Sequence, residues 1–292
     1  MNIKIIVNPR AGGGKAREIG FKTEQFLCDL GIEYSLDSTY RPKGATSLAK
    51  KSIDEGFDLI IAVGGDGTVN EIVNGMIGSG SKLAIIPAGT NNNFSRMLGI
   101  DPENIREALE TALGKNTRTI DVGKLNEKYF LNGISIGLSA EAQDTGEVSI
   151  PVLQEKGSYM LKLFKTLSKF KAPKLLIKMD GVDLHSKTLI TKIANGKYFG
   201  NGFSIVPSAD IEDGLLDVCV LNNMGKMKFL YNMPNILKGR HNRSYPMTTF
   251  RASNITIESP DPVKAVCDGE TVDGPAPFRI TVAEEKIIVK TK

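Results

Sequence analysis

Along roughly the first 122 residues, short and mostly apolar runs alternate with longer amphipathic stretches. The runs are Ile3 to Val7, broken only by Lys4, Leu59 to Val63 and Leu83 to Ile86, and the mixed stretch Ile32 to Tyr40 reads as a further strand. Runs of this length without polar alternation predict strands buried on both faces, as in a parallel sheet. Helical spacing predicts helices from about Lys15 to Leu30, Ala45 to Glu55, Val69 to Ile77 and Pro102 to Leu113. Strand and helix in strict alternation predict a doubly wound α/β domain, whose ligands bind at the carboxyl ends of the strands. From about Lys124 the pattern changes to short stretches of period two: Tyr129 to Gly137, Lys174 to Met179, Ser186 to Ala194, Leu216 to Leu221, Phe250 to Ile257, Val263 to Cys267, Phe278 to Val282 and Lys286 to Val289. That rhythm predicts an antiparallel β-sandwich, interrupted by helical segments at about 155–170 and 225–238. The expected division is 1–122 and 123–292, with a return of the last strand toward the first domain left open.

Three turns at strand ends carry the candidate chemistry of the first domain. Gly64-Gly65-Asp66-Gly67-Thr68-Val69-Asn70-Glu71 joins a buried strand to a helix. Glycines there let the backbone approach a ligand closely, and a helix start offers amides and a positive dipole end to phosphate. An acid inside such a turn, Asp66, is repulsive to phosphate unless a cation lies between them, which points to Mg²⁺. Asn8-Pro9-Arg10-Ala11-Gly12-Gly13-Gly14-Lys15 suits phosphate through amides and flanking cations, although Ala16 after Lys15 excludes a P-loop. Pro87-Ala88-Gly89-Thr90-Asn91-Asn92-Asn93-Phe94 adds short neutral hydrogen-bonding groups, which also suit a helix cap. Taken together the three loops read as a triphosphate cradle.

The second half has two acidic patches. Asp210-Ile211-Glu212-Asp213-Gly214-Leu215-Leu216-Asp217 could hold a hard cation through side-chain and carbonyl oxygens, or be a solvated turn. Cys267-Asp268-Gly269-Glu270 could supply a base for a hydroxyl proton, or be an Asp-Gly hairpin turn. Composition narrows the chemistry. Three scattered cysteines argue against a disulfide framework or zinc site and suit a reducing, cytoplasmic setting. Two histidines leave acid–base work to carboxylates. No stretch approaches the ~20 apolar residues of a membrane span, and the N-terminus lacks a signal-peptide pattern.

Charge adds a partner. Lys156 to Lys174 carries six lysines and no acid; Met224 to Tyr245 carries Lys226, Lys228, Lys238, Arg240 and Arg243, again with no acid. These cations outnumber the chain's net charge of +4, so the remainder is acidic and the positive charge is concentrated. Tyr159, Met160, Leu163, Phe164 and Leu167 recur at helical spacing among the lysines, as in a basic amphipathic helix lying on an anionic bilayer, although the same stripe could pack on the β-domain. Neither segment carries a nucleic-acid-binding motif.

GGDGTVNE at 64–71, PAGTNNNF at 87–94, ADIEDGLLDV at 209–218 and DGE at 268–270 together resemble the diacylglycerol kinase catalytic-domain family, the bacterial soluble lipid kinases above all. The first motif alone is shared with NAD kinases; all four in this order are more specific, and the resemblance spans essentially the whole chain. It implies two domains with the active site between them. It implies ATP at Asn8, Pro9, Arg10, Ala11, Gly12, Thr39, Gly65, Asp66, Gly67, Thr68, Val69, Asn70, Glu71 and Thr90. It implies Asp268 with Glu270 as the pair that deprotonates a lipid hydroxyl, most readily that of diacylglycerol. It implies a structural Mg²⁺ at Asp213 with the main-chain oxygens of Asp210 and Leu215, and a catalytic Mg²⁺ organised through water by Asp66 and Asp121. The implied setting is cytoplasmic with transient membrane association; a homodimer stays open. One departure is Asn93, where the family often has Asp; an amide adds no negative charge, so either Asp121 and Asp66 suffice, or catalysis is weakened, or the substrate differs. An NAD kinase-like enzyme and an inactive lipid- or nucleotide-binding regulator are the alternatives.

Overall fold

The structure, a computed structural model, describes residues 1–144, 164–200, 202–238, 247–272 and 274–292. Much of the first basic segment (Lys156, Tyr159, Met160, Lys162, Leu163) and the end of the second (Arg240, Arg243, Tyr245) lie outside the described residues. The chain divides into two compact units, Met1–Val122 with Ala283–Lys292, and Gly123–Val282.

The first unit is an α/β layer structure. Its strands are β1 (Ile3–Val7), β2 (Ser35–Ser38), β3 (Leu59–Gly64), β4 (Lys82–Pro87) and β5 (Thr117–Ile120), joined by a strand from the C-terminal end of the chain, Ile287–Lys290. Helices α1 (Lys15–Asp29), α2 (Gly44–Asp54), α3 (Asp66–Met76), α4 (Asn93–Met97) and α5 (Ile105–Leu113) connect them. The sheet order is β2-β1-β3-β4, then the C-terminal strand, then β5. The C-terminal strand runs parallel to β4 and antiparallel to β5. β1, β3 and β4 are buried almost throughout, the expected consequence of helices on both faces. Chain order reverses between β1 and β3, and that switch point is where an open α/β sheet leaves a crevice for ligands. The strand predicted over Ile32 to Tyr40 is shorter, Ser35–Ser38. The helix expected from Pro102 starts at Ile105, because the Asn104 side chain accepts the Glu107 amide at 3.1 Å and caps it there.

The second unit is antiparallel throughout. Its strands are β6 (Gly123–Leu125), β7 (Lys128–Phe130), β8 (Gly133–Gly137), β9 (Lys174–Met179), β10 (Val182–Ala194), β11 (Leu216–Asn222), β12 (Met247–Ala252), β13 (Asn254–Glu258), β14 (Ala265–Cys267), β15 (Glu270–Thr271) and β16 (Phe278–Val282). The C-terminal strand of the first unit completes the series as β17. Helices α6 (Leu138–Asp144), α7 (164–169) and α8 (Lys226–Leu237) accompany them. The long strand β10 serves two sheets: Val182–Lys187 pairs with β9, and past an irregularity after Thr188 it pairs with β8 and β11. The core between them takes alternate residues from both, among them Ile134, Ile136, Ile177, Ile193, Val218, Ile257, Cys267, Phe278 and Ile280. Two stretches that read as single strands are broken. Phe250 to Ile257 divides at Ser253, and Tyr129 to Gly137 divides at Leu131 and Asn132, whose amides turn aside to the carboxylate of Asp268.

Candidate functional site

The three turns of the first unit are stitched together at the carboxyl ends of β1, β3 and β4. The Asn8 amide bonds the Val63 carbonyl at 3.0 Å, and the Ala88 amide bonds the Gly64 carbonyl at 2.8 Å. The Asn8 side chain donates to the Thr68 hydroxyl at 2.9 Å. Glycine makes the closeness feasible. A Cβ on Gly12, which has φ +59°, would stand 2.3 Å from the Ala88 oxygen, and one on Gly65 would stand 2.9 Å from the Cα of Gly89. Gly67 is different: it has nothing within 4 Å of its Cβ position and no positive φ. Neither packing nor backbone strain requires glycine there, so its effect is to leave open space over the first turn of α3. Gly65, the residue preceding that turn, has no side chain with which to cap it. Amides at a helix start have no partner within the helix, and an anion is the partner they suit.

Other named residues of this unit have structural partners. The Asp66 carboxylate accepts the amides of Asn93 (3.0 Å) and Phe94 (2.9 Å), and so holds the start of α4 against the glycine turn. Burial raises its pKa, opposed by those two amides and by the charge of Arg96. Glu71 accepts the amides of Lys43 (3.1 Å) and Ala45 (3.0 Å) at the start of α2. Val69 and Asn70 are buried, and the Val69 amide bonds Gly65 within the helix. The Thr39 amide bonds Val7 at 2.8 Å, which places Thr39 beside the first turn. Arg10 and Thr90 are exposed, Pro9 and Ala11 partly so. Asp121 is wholly buried and ion-paired at 2.7 Å to Lys286, which the sequence pattern placed only at the head of a strand and not at a site.

In the second unit Asp268 and Gly269 have φ of 45° and 88°, and they join β14 to β15 as the tight turn that Asp-Gly favours. The turn also presents a carboxylate. Asp268 accepts amides from Leu131 (2.7 Å), Asn132 (3.0 Å) and Gly133 (2.8 Å). These are the residues at the break between β7 and β8. Charge-assisted bonds from three rigid donors fix the carboxylate's orientation. Glu270, at the start of β15, is ion-paired to Lys128.

Two family models divide the chain between them. One described as the diacylglycerol kinase catalytic domain matches residues 2–125, and one described as the YegS C-terminal NAD kinase beta sandwich-like domain matches residues 132–290. A diacylglycerol kinase of Staphylococcus aureus (strain JH9) is 30% identical over 274 residues, 91% of this chain and 85% of that protein. The chain belongs to the diacylglycerol kinase family. A further diacylglycerol kinase, from Bacillus subtilis (strain 168), is 28% identical over 269 residues, 91% of this chain and 89% of its own. A solved diacylglycerol kinase structure from Bacillus anthracis (strain Sterne) matches with a TM-score of 0.77 at 26% identity, covering 100% of this chain and 97% of that one. On this ground the chain is a lipid kinase, and the sandwich of its second half is the one its family model describes.

Within this diacylglycerol kinase fold the positions expected to hold magnesium differ in fit. Asp66 and Asp121 are hard oxygen donors, and a carboxylate has about four lone-pair directions, so bonds to amides or to Lys286 leave directions for a water-bridged ion. The acidic turn is more committed. The Asp213 carboxylate takes the guanidinium of Arg251 on one oxygen and the Leu215 amide, at 3.0 Å, on the other. The Asp210 side chain accepts the Glu212 amide at 3.2 Å, and Asp217 accepts the Ser208 hydroxyl at 2.7 Å. A metal ion at Asp213 would share or displace Arg251. Among the described residues no three His, Cys, Asp or Glu side chains gather as metal ligands.

Proposed function

We propose that this kinase transfers the γ-phosphoryl group of ATP to the free hydroxyl of a diacylglycerol, giving phosphatidic acid and ADP. The observation that carries the reading is the Asp268 carboxylate, held by three amides on the rim of a rigid sandwich. A base must be oriented before it is useful, and a plain hairpin turn has no need of that grip. The nucleotide's phosphates lie against the amides at the start of α3 and over Gly67, with Arg10 and Lys15 as nearby cations. The acceptor oxygen forms a bond to the γ-phosphorus as the bond to the ADP oxygen breaks, and the hydroxyl proton passes to Asp268. Such transfer depends on positioning and charge neutralisation more than on covalent chemistry. Magnesium near Asp66 and Asp121 would supply charge neutralisation on the transferring group.

The lipid is met at a surface. Among the described residues no helix is long and apolar enough to cross a membrane. On α7 and α8, however, Phe164, Met227 and Tyr231 are exposed (55%, 79% and 85%) beside Lys165, Lys169, Lys226 and Lys228. The two helices are tied together by Lys226, which donates to the Ser168 carbonyl at 2.6 Å, and by Leu167, Phe229 and Met233 in a common cluster. Exposed apolar side chains ringed by lysines suit an anionic bilayer, each lysine contributing ~1 kcal/mol.

Labelled ATP and Mg²⁺ offered with a panel of diacylglycerol, sphingosine, ceramide and NAD test the reaction. Label in phosphatidic acid is expected; label confined to NAD or to a sphingoid base would overturn it. Co-sedimentation with vesicles tests the surface, and equal binding to neutral and anionic vesicles would remove it.

A further inference from the structure

Lys192 takes no part in the proton transfer assigned to Asp268, and its setting is unusual for a lysine. It stands on the face of β10 turned away from the main sandwich core and is only 7% exposed. A buried ammonium is costly unless a negative charge compensates it. Its hydrogen-bond acceptor is a neutral hydroxyl, that of Ser135, directly opposite on β8. The ring of Phe199 lies 3.9 Å from it, a cation–π contact. Two thiols are near, Cys219 and Cys267, but burial raises both, Cys219 to about 12, so they are uncharged at neutral pH. Among the described residues the remaining group acting on Lys192 is the carboxylate of Asp268.

The strands explain why these two meet. Lys192 pairs with Ser135, and Ser135 pairs on its other side with Val266, two residues before Asp268. Gly133 closes the arrangement. Its amide grips Asp268, and a Cβ on it would stand 2.9 Å from the Phe199 ring. The ring beneath the ammonium therefore also packs on a residue that holds the carboxylate.

We propose that Lys192 is a positioning residue for Asp268: its buried ammonium keeps the carboxylate ionised and aimed until the acceptor's proton arrives. The proposal rests on the reading of Asp268 as the base. The proton passes from the hydroxyl to Asp268, the leaving electron pair goes to ADP, and Lys192 exchanges nothing; it acts by charge. An opposite charge nearby favours the ionised carboxylate. Burial holds Lys192 down to about 7 against that attraction, so the pair weakens as pH rises through neutrality.

The test is kcat/KM against pH, from about pH 5 to 9, for the full chain with ATP, Mg²⁺ and a short-chain diacylglycerol in detergent micelles. Lys192→Met should move the acidic limb up by ~1 unit, and Lys192→Arg should restore it. Lys192→Gln, which keeps a hydrogen-bonding group opposite Ser135 but removes the charge, should move the limb in the same direction, and it serves where Lys192→Met fails to fold. A Lys192→Met profile superimposable on the native one overturns the proposal, as does an unshifted Lys192→Gln profile if that variant alone can be measured. Asp268→Asn separates the two claims. A native rate in Asp268→Asn removes the base itself, whereas a large loss there beside an unshifted Lys192→Met removes the positioning role alone.

Discussion

Asp268 illustrates how backbone amides can fix the orientation of one side chain. Its three amide donors belong to a strand break 135 to 137 residues earlier in the chain. Asp268→Asn keeps the shape but removes the charge, and kcat should fall ~10²–10⁴-fold, the usual contribution of a positioned base; steady-state kinetics beside a thermal melt will separate this from unfolding. Lys192 makes a second prediction, on stability. Its folded value, about 7, is below the ordinary lysine value of 10.5, so the unfolded chain binds more protons between those limits. Native stability should rise as pH increases from about 7 toward 10.5, and Lys192→Met should flatten that rise in urea titrations. A lysine set within Leu189-Ile190-Thr191-Lys192-Ile193-Ala194 was the visible signal for this group. Period-two alternation placed it on one face of a strand, but only the packing of Phe199 and Ser135 over that face shows that it is buried.

Among the elements, the turns separate glycines that packing requires from Gly67, which neither packing nor backbone strain requires. Gly65→Ala drives a Cβ into the backbone of Gly89, and should cost ~1–3 kcal/mol, as overpacking does. Gly67→Ala meets nothing and replaces a helix-position glycine, so it should be neutral or stabilising by ~0.5–1 kcal/mol. With the phosphates over α3 as proposed, it should nevertheless raise KM for ATP, because the new methyl would stand in their path. Equal KM values for Gly67→Ala and the native chain would show that the nucleotide lies elsewhere. The helix starts carry a related lesson. Glu71 belongs to a motif that reads as nucleotide-binding, yet its carboxylate caps α2. Glu71→Ala should therefore lower stability by ~1 kcal/mol, measured as a shift in urea midpoint at constant slope. Asp66 holds α4 in the same way. Asn93, whose backbone amide Asp66 accepts, contributes to that anchor whatever its side chain, so Asn in place of Asp at this position leaves the bond intact.

For the whole molecule, the C-terminal strand is the decisive piece. β17 lies inside the first unit's sheet, between β4 and β5, and the adjoining Lys286 neutralises the buried Asp121. Removing residues 283–292 would leave β4 without a neighbour on one side and Asp121 without its cation, and unpaired strand edges associate. The shortened chain should lose its cooperative melt or aggregate on size-exclusion chromatography; a soluble chain with the native melt would refute this. The amino-acid sequence by itself determined the strand–turn–helix rhythm of residues 1–122, the antiparallel character of the second half, the glycine turns and the family's four motifs. Those features are local: run length, period and turn residues act over a few positions. Tertiary structure alone decided which groups meet. Asp66 takes amides 27 and 28 residues away, Asp268 takes them from across 135 or more, and Asp121, Asp213 and Lys192 meet Lys286, Arg251 and Phe199 only once strands are ordered and in register. Burial then determines what each meeting is worth, because a charge is costly or useful according to the water removed from around it.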